Sequence, residues 1–102
     1  MVERIGTRPR ARLDIVELAA AIGEQSIPAA DRFLDATTEL LSSSPGIGGL
    51  YGSTNERFVG LRVFPVRGFR NHLIFYRERE HGIEIIRVLH GASDVDAALV
   101  ND

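Results

Sequence analysis

The side chains that could do chemistry are concentrated in the second half of this 102-residue sequence. RNA cleavage by attack of a 2′-hydroxyl needs a base, an acid and cations that hold the phosphate. Side chains with suitable chemistry are His72, His81, His90 and Tyr76, with Arg62, Arg67, Arg70, Arg77 and Arg87. In such a nuclease, His90 would act as acid or base. The phosphate would be held by Arg62, Arg70 and Arg77.

The histidines and the tyrosine also have structural explanations. His90 precedes a glycine at the end of a predicted strand, where its ring can bond to a backbone carbonyl. His81 lies in a predicted turn and fits solvated surface. Tyr76 is expected to be half-buried, with its hydroxyl at the sheet edge. We therefore favour no catalytic residue, and the nuclease set stays open as an alternative.

The arginines, too, have both a functional and a structural explanation. Arg62, Arg67 and Arg70 could form a basic rim, or a solvated face whose ion pairs with nearby glutamates contribute little stability. Arg87 lies in a largely apolar stretch, so a buried Arg87 needs a partner such as an acidic residue on a helix.

Several kinds of site are excluded by residue type and spacing. The chain has no cysteine, which excludes disulfides, thiolate metal ligands and a cysteine nucleophile. The three histidines lack the spacing of a zinc site, and no glycine-rich segment matches a nucleotide-binding loop. We predict no metal and no cofactor. The cytoplasm is the expected compartment, and no apolar run is long enough to span a membrane.

Length and charge indicate one polarised domain over residues 1–102. Hydrophobic residues make up 44% and charged residues 25%, which is typical of a globular chain. All twelve basic residues are arginine, and the net charge is −2. Residues 57–90 carry net +4, whereas the segments before and after each carry −3. A factor that docks among ribosomal phosphates is expected to be strongly basic, so this balance disfavours direct nucleic-acid binding.

The first half of the chain is predicted to form a short strand and two helices. The strand is Val2–Thr7, at an edge. Apolar residues at helical spacing then predict a helix over Ala11–Gly23. A second helix follows Ser26, a good N-cap, and runs to Leu41. The short connection predicts an antiparallel helical hairpin. Pro45–Phe58 is predicted to be a loop.

In the second half the hydrophobic period changes from helical to alternating. It predicts strands at Gly60–Val66, Asn71–Arg79 and Ile83–Leu89, the first at an edge because of Pro65 and the last in a central position. Alternation places His72 and Tyr76 on one face of their strand. On the last strand it places His90 with Ile86 and Val88. Ser93 is predicted to cap a helix over Asp94–Val100.

These elements give an α+β fold of order β-α-α-β-β-β-α. The helical hairpin packs on one face of a small, mainly antiparallel sheet, and the other face is left partly open. Within this order the chain has a series of short strings at Ala11–Ile15, Ala29–Ala36, Pro45–Gly48, Gly60–Arg62, Val66–Arg77, Gly82–Ala92 and Asp94. In the order and spacing of these strings, over roughly residues 10–98, the chain resembles the ParE branch of the RelE/ParE toxin superfamily of bacterial type II toxin–antitoxin modules.

The resemblance implies a toxin that a cognate, ParD-like antitoxin encoded beside it neutralises, in a module that stabilises plasmids. For ParE-like members the implied target is DNA gyrase, whereas RelE-like members cut mRNA on the ribosome. One scaffold hosts both activities, so the fold does not decide between them. A third alternative is a degenerate module that binds its antitoxin without being toxic.

Surplus apolar side chains predict where partners bind. An amphipathic antitoxin helix would lie along the helical hairpin, and a further strand would be added at the sheet edge. The residues predicted to bind the antitoxin are Leu13, Val16, Ile27, Leu40 and Leu50. Those predicted to bind the target are Arg67, Arg70, His90, Val95 and Leu99.

Overall fold

The computed structural model describes residues 4–37, 39, 47–52, 55–80 and 82–100. Its elements are β1 (Arg4–Thr7), α1 (Pro9–Gly23), α2 (Ile27–Ala36), β2 (Gly49–Leu50), a 3₁₀ turn (Glu56–Phe58), β3 (Arg62–Val66), β4 (Phe69–Arg79), β5 (Gly82–His90) and α3 (Val95–Val100). The predicted α+β class and its element order are confirmed. The structure has one strand more than predicted, β2, which lies in the segment that was predicted to be a loop.

The five strands form one mixed sheet in the order β1-β5-β4-β3-β2. β1 pairs with β5 in parallel, and the other pairs are antiparallel. β1 is therefore an edge strand, as predicted, and β5 is an interior one. The prediction that β3 is an edge strand is only partly right. β2 pairs with Arg62 and Val63 and ends before Pro65, whose missing N–H therefore breaks no bond to β2.

The helical hairpin forms where the apolar periodicity places it. Ser26 caps α2, since its hydroxyl accepts a hydrogen bond from the Ala29 N–H at 3.2 Å. A side chain at Gly23 would lie 3.5 Å from the Ala30 Cβ, so the two helices approach closely beside their connection. α2 ends at Ala36, earlier than predicted, and Leu41 lies outside the described residues. No helix in the described ranges is long and apolar enough to cross a membrane.

The sheet has an apolar core on each face. On the hairpin side, Phe33 of α2 packs with Ile74, Tyr76, Ile85 and others of the sheet. The opposite face was predicted to be partly open, which is wrong for much of it. There Phe75 packs with Phe58 of the 3₁₀ turn and with Leu99 of α3.

The helix α3 is held on the second face by specific bonds. Asp94, not the predicted Ser93, caps it by accepting from the Ala97 N–H at 3.2 Å. The Tyr51 hydroxyl donates to the Asp96 carboxylate, and this bond raises the pKa of Tyr51 to about 12. The aromatic ring of Tyr51 also lies edge-on to Phe75. The chain after β2 and the C-terminal helix thus close this face together.

A β-bulge in β5 overturns one prediction drawn from strict alternation. Phe75 pairs with Arg87, whereas Tyr76 pairs with Ile85, so Ile86 is the extra residue. As a result Ile86 lies in the core of the second face while Val88 lies in the core of the hairpin face. The prediction that these two residues share a face with His90 is therefore wrong for Ile86.

A buried ion pair joins the layers where β1 ends. Arg87 donates from Nε and Nη2 to both carboxylate oxygens of Asp14 on α1, at 2.6 and 2.9 Å. The same arginine donates to the Ala98 carbonyl of α3 at 2.8 Å. Asp14 also accepts from the Val88 N–H at 3.1 Å. The prediction that a buried Arg87 pairs with a helix acid is confirmed.

Candidate functional site

The histidine and arginines of the nuclease alternative do not converge. Arg70 and His90 lie at the end of the sheet where β4 begins and β5 ends, and His90 pairs with His72 in register. Arg62 and Arg77 lie at the other end of the same strands. Seven residues of strand separate Arg70 from Arg77, roughly 23 Å at about 3.3 Å per residue. One phosphodiester could not contact both groups.

Arg62 is engaged with neighbouring structure. Its guanidinium contacts the Glu78 carboxylate at 2.8 Å and donates to the Gly48 carbonyl at 2.5 Å. The Gly48 N–H donates to the Tyr76 hydroxyl at 2.9 Å. Tyr76 is fully buried, so the prediction that it is half-buried is wrong, although its hydroxyl does lie beside the edge strand β2. Burial raises the pKa of Tyr76, which keeps the hydroxyl neutral. Together these side chains fix the chain just before β2.

Arg77 holds the 3₁₀ turn against the second face. It donates to the Val59 carbonyl at 2.5 Å and to the Arg57 carbonyl at 2.6 Å. These bonds satisfy carbonyls that the short turn leaves without backbone partners, so Arg77 has a structural role.

His72 and His90, the two histidines that the structure describes, form a cross-strand pair. The rings of His72 and His90 lie edge-on with centroids 5.0 Å apart. His90 Nδ1 accepts from the Ala92 N–H at 3.0 Å, so its ring bonds to the main chain where the strand ends, as an acceptor rather than as the predicted donor to a carbonyl. Both rings line an open cleft of about 410 Å³ beside the hairpin. His81 lies outside the described residues.

His72 is held neutral by its surroundings. Its Nδ1 is buried and has no hydrogen-bond partner in the described part of the chain, and its ring contacts Phe33 and Phe69 edge-on. Burial lowers the pKa of His72, and the neighbouring His90 lowers it further. The unfolded chain therefore binds a proton more readily at this position than the folded chain does.

We expect this histidine to make folding stability depend on pH. Below the unfolded pKa of His72, about 6.5, unfolding takes up a proton at this residue. The contribution of His72 to folding stability is therefore complete above that pH and is lost as the pH falls through the folded pKa. His72→Phe removes the titration and the unpaired Nδ1. Chemical unfolding between about pH 5 and pH 8 should give a steeper loss at low pH for the native chain than for the variant. Equal pH profiles would contradict the assignment.

The residues predicted to bind a target lie mostly at one end of the sheet. Arg67 occupies the β3–β4 turn, and Arg70 and His90 flank it on β4 and β5. Both arginines are exposed, and within the described residues neither side chain has a hydrogen bond or ion pair. Val95 begins α3 and is half-buried against the core of the second face, whereas His90 lines a cleft on the hairpin face. We call Arg67, Arg70 and His90 the turn-end surface. Leu99 is 7% exposed and packs in the second core, so it offers a target almost no side-chain surface.

The residues predicted to bind an antitoxin are exposed where they are described. Leu13, Val16 and Ile27 are 44%, 62% and 70% exposed. Leu34, another apolar residue of α2, is 43% exposed. Leu40 lies outside the described residues.

Helix geometry brings these side chains to the crevice between α1 and α2. Ile27 and Leu34 lie three and four residues from Ala30, which faces α1 at Gly23. Val16 lies two turns before Gly23, on the flank of α1 that faces α2. We call Leu13, Val16, Ile27 and Leu34 the hairpin seam. The seven-residue spacing from Ile27 to Leu34 was the signal that could have added Leu34 to the prediction.

Leu50 is a separate exposed apolar residue at the far edge of the sheet. It is 67% exposed on β2, whose outer side has no neighbouring strand among the described residues. An exposed strand edge offers unpaired backbone N–H and C=O groups to another chain.

The fold and these surfaces define a class of small α+β proteins that present binding faces rather than an enclosed reaction site. In the described ranges no group of three or more acidic or histidine side chains could hold a metal ion. Residues 6–95 match the model of the ParE toxin of the type II toxin–antitoxin system, parDE. The chain belongs to this toxin family, which has a cognate antitoxin as partner. No curated protein matches the chain.

Proposed function

We propose that this toxin inhibits DNA gyrase by binding it and is neutralised by a ParD-like antitoxin in the bacterial cytoplasm, within a plasmid-stabilising module. The observation that carries the proposal is the split of the nuclease set across the two ends of β4, with Arg62 and Arg77 engaged in holding loops. Exposed apolar and arginine side chains, by contrast, are available for protein contacts. This arrangement supports inhibition by binding over phosphodiester cleavage.

For the antitoxin we propose the hairpin seam as its principal site. An amphipathic helix could place its apolar face along Val16, Ile27 and Leu34 and remove them from water. The edge at Leu50 would accept an added strand of the same partner. His90 lines a cleft with residues of α1 and α2, and Arg67 lines a pocket with residues of α2, so an antitoxin bound along the hairpin would lie close to the turn-end surface.

The antitoxin site can be tested by coexpression with the product of the neighbouring small gene. The double variant Val16→Glu/Leu34→Glu should weaken the complex at least about 100-fold, because two charges would be buried against an apolar helix. Arg32→Glu is the matched control, since Arg32 is exposed on the same helix but points away from the seam. Equal affinities for the two variants would contradict the placement.

For the target we propose contact through the turn-end surface. Arg67, Arg70 and His90 contribute cationic and hydrogen-bonding groups. Arginine at a protein interface forms bidentate and stacked contacts, and it is enriched among the residues that dominate binding energy.

A supercoiling assay beside a translation-coupled mRNA cleavage assay separates the candidate activities. We expect gyrase supercoiling to be blocked while mRNA stays intact, and Arg67→Glu/Arg70→Glu to weaken the block at least about tenfold. Arg12→Glu, a charge reversal at an exposed arginine of α1, should retain it. Cleaved mRNA with unaffected supercoiling would replace the proposal with a ribonuclease. Growth unaffected by overexpression, with neither activity, would indicate a degenerate module that only binds its antitoxin.

A further inference from the structure

A cleft on the second face of the sheet combines three arginines with an apolar floor. Its volume is about 160 Å³. Arg8, Arg57 and Arg77 line it, and we call it the arginine cleft. Its floor is formed by Phe58, Leu61, Ile86 and Leu99. It is separate from the hairpin seam and from the turn-end surface.

Among the described residues, carboxylates balance the charge of Arg57 and Arg77 less than that of Arg8. Glu84 contacts Arg8 at 3.6 Å, and it also binds Arg79, which lowers the pKa of the Glu84 carboxyl. Arg57 and Arg77 have no ion pair with a carboxylate within the described part of the chain. Because a guanidinium stays protonated at every physiological pH, the cleft keeps its positive charge.

The cleft is also partly preorganised. The guanidinium of Arg77 is fixed by the carbonyls of Val59 and Arg57, and these two bonds use two of its five N–H donors. Arg57 lies in the 3₁₀ turn, and Arg77 holds the backbone of that turn. The Cα of Arg57 is therefore held in place, although its side chain is exposed. A fixed cation loses less conformational freedom on binding than a mobile one.

We propose that the arginine cleft binds a carboxylate that carries a small apolar group. The carboxylate would accept hydrogen bonds from Arg57 and Arg77, which bind this planar group well. The attached group would lie against the floor, where Phe58 and Leu61 keep only 6% and 2% of their surface exposed, so the arginines supply most of the binding. The cleft's volume of about 160 Å³ has room for a group about the size of a benzene ring.

Sodium benzoate is the probe, and benzamide is its neutral counterpart of the same shape. We expect benzoate to bind the full chain saturably, by calorimetry or by NMR shifts at Arg57 and Arg77, and benzamide to bind at least about tenfold more weakly. Arg57→Ala should lower benzoate affinity at least about fivefold, since only the side chain is lost and the backbone carbonyl remains. Arg32→Ala should leave it unchanged.

Two results would overturn the proposal. One is the absence of saturable benzoate binding by the native chain. The other is equal binding of benzoate and benzamide, or an equal effect of the two arginine variants. Inorganic phosphate tests the floor, because phosphate binding as tight as that of benzoate would show that the apolar residues contribute nothing and would also contradict it.

The same chemistry has two sources, a free organic acid and an acidic residue of a polypeptide partner. If benzoate competes with the antitoxin and Arg57→Glu weakens that complex, the carboxylate belongs to the antitoxin. If benzoate binds equally well to the toxin–antitoxin complex, the cleft takes a free acid. Benzoate binding to the isolated chain tests the cleft even where the gyrase proposal fails.

Discussion

Asp14→Ala should lower the free energy of unfolding by about 3–5 kcal/mol, a large share of the 5–15 kcal/mol typical of small domains. The variant leaves the guanidinium of Arg87 buried without its carboxylate, and both side chains are only 6% exposed. It also removes the acceptor of the Val88 N–H. That N–H depends on Asp14 because β1 ends at Thr7, opposite Ile85, and leaves the rest of the β5 edge uncovered.

Two further variants separate the charge from the packing. Asp14→Leu/Arg87→Met replaces the pair with apolar side chains and should be more stable than Asp14→Ala, because no unpaired charge remains. Arg10→Ala is the matched control. Arg10 approaches the same carboxylate at 3.9 Å but is 52% exposed, so its loss should change stability by less than about 0.5 kcal/mol. Urea unfolding gives all three values, and a loss below about 1 kcal/mol for Asp14→Ala would contradict the assigned role.

The parts of the fold that the sequence predicted depend on local chemistry. Ser26 and Pro28 mark the start of α2 whatever the rest of the chain does, because a cap and a first-turn proline act within one helical turn. Gly68 adopts a positive φ of 84°, which the turn between β3 and β4 requires and which glycine adopts without strain. The hydrophobic pattern likewise identified β4 and β5, since a strand with one buried face alternates apolar and polar residues and a strand with two buried faces is apolar throughout.

The parts that the sequence did not predict depend on partners far along the chain. Asp14 and Arg87 are 73 residues apart, so the sequence predicts that an acidic residue of a helix pairs with Arg87 but does not identify which one. The bulge at Ile86 shifts the alternation by one residue, and no glycine marks it. β2 is only two residues long and exists because distant side chains hold the chain before it.

The candidate surfaces show the same division. The sequence identified Leu13, Val16 and Ile27 as surplus because their number exceeded one apolar stripe per helix, and their exposure follows from that count. Leu99 is as hydrophobic and was predicted to lie at a surface, because no pattern in the sequence indicates that α3 folds back onto Phe75. Hydrophobicity alone does not tell a core residue from a docking residue when the covering element is short.

Gly48→Ala should destabilise the protein by about 3 kcal/mol, which combines overpacking with the loss of a buried hydrogen bond. A Cβ at this position would lie 2.6 Å from the Tyr76 hydroxyl oxygen and 2.9 Å from the Val63 carbonyl oxygen. Contacts this short require the backbone to move, since neither a buried tyrosine nor a strand carbonyl can retreat. The movement would break the bond from the Gly48 N–H to Tyr76 and displace β2.

The neighbouring glycine provides the control. A Cβ added at Gly49 meets nothing within 4 Å, so Gly49→Ala should change stability by less than about 0.5 kcal/mol. The pair separates close approach from the general entropic effect of replacing a glycine, which both variants share. Because β2 presents Leu50, Gly48→Ala should also weaken any partner strand added at this edge, whereas Gly49→Ala should not. Equal unfolding free energies for the two variants would show that the contact at Gly48 does not hold β2 in place.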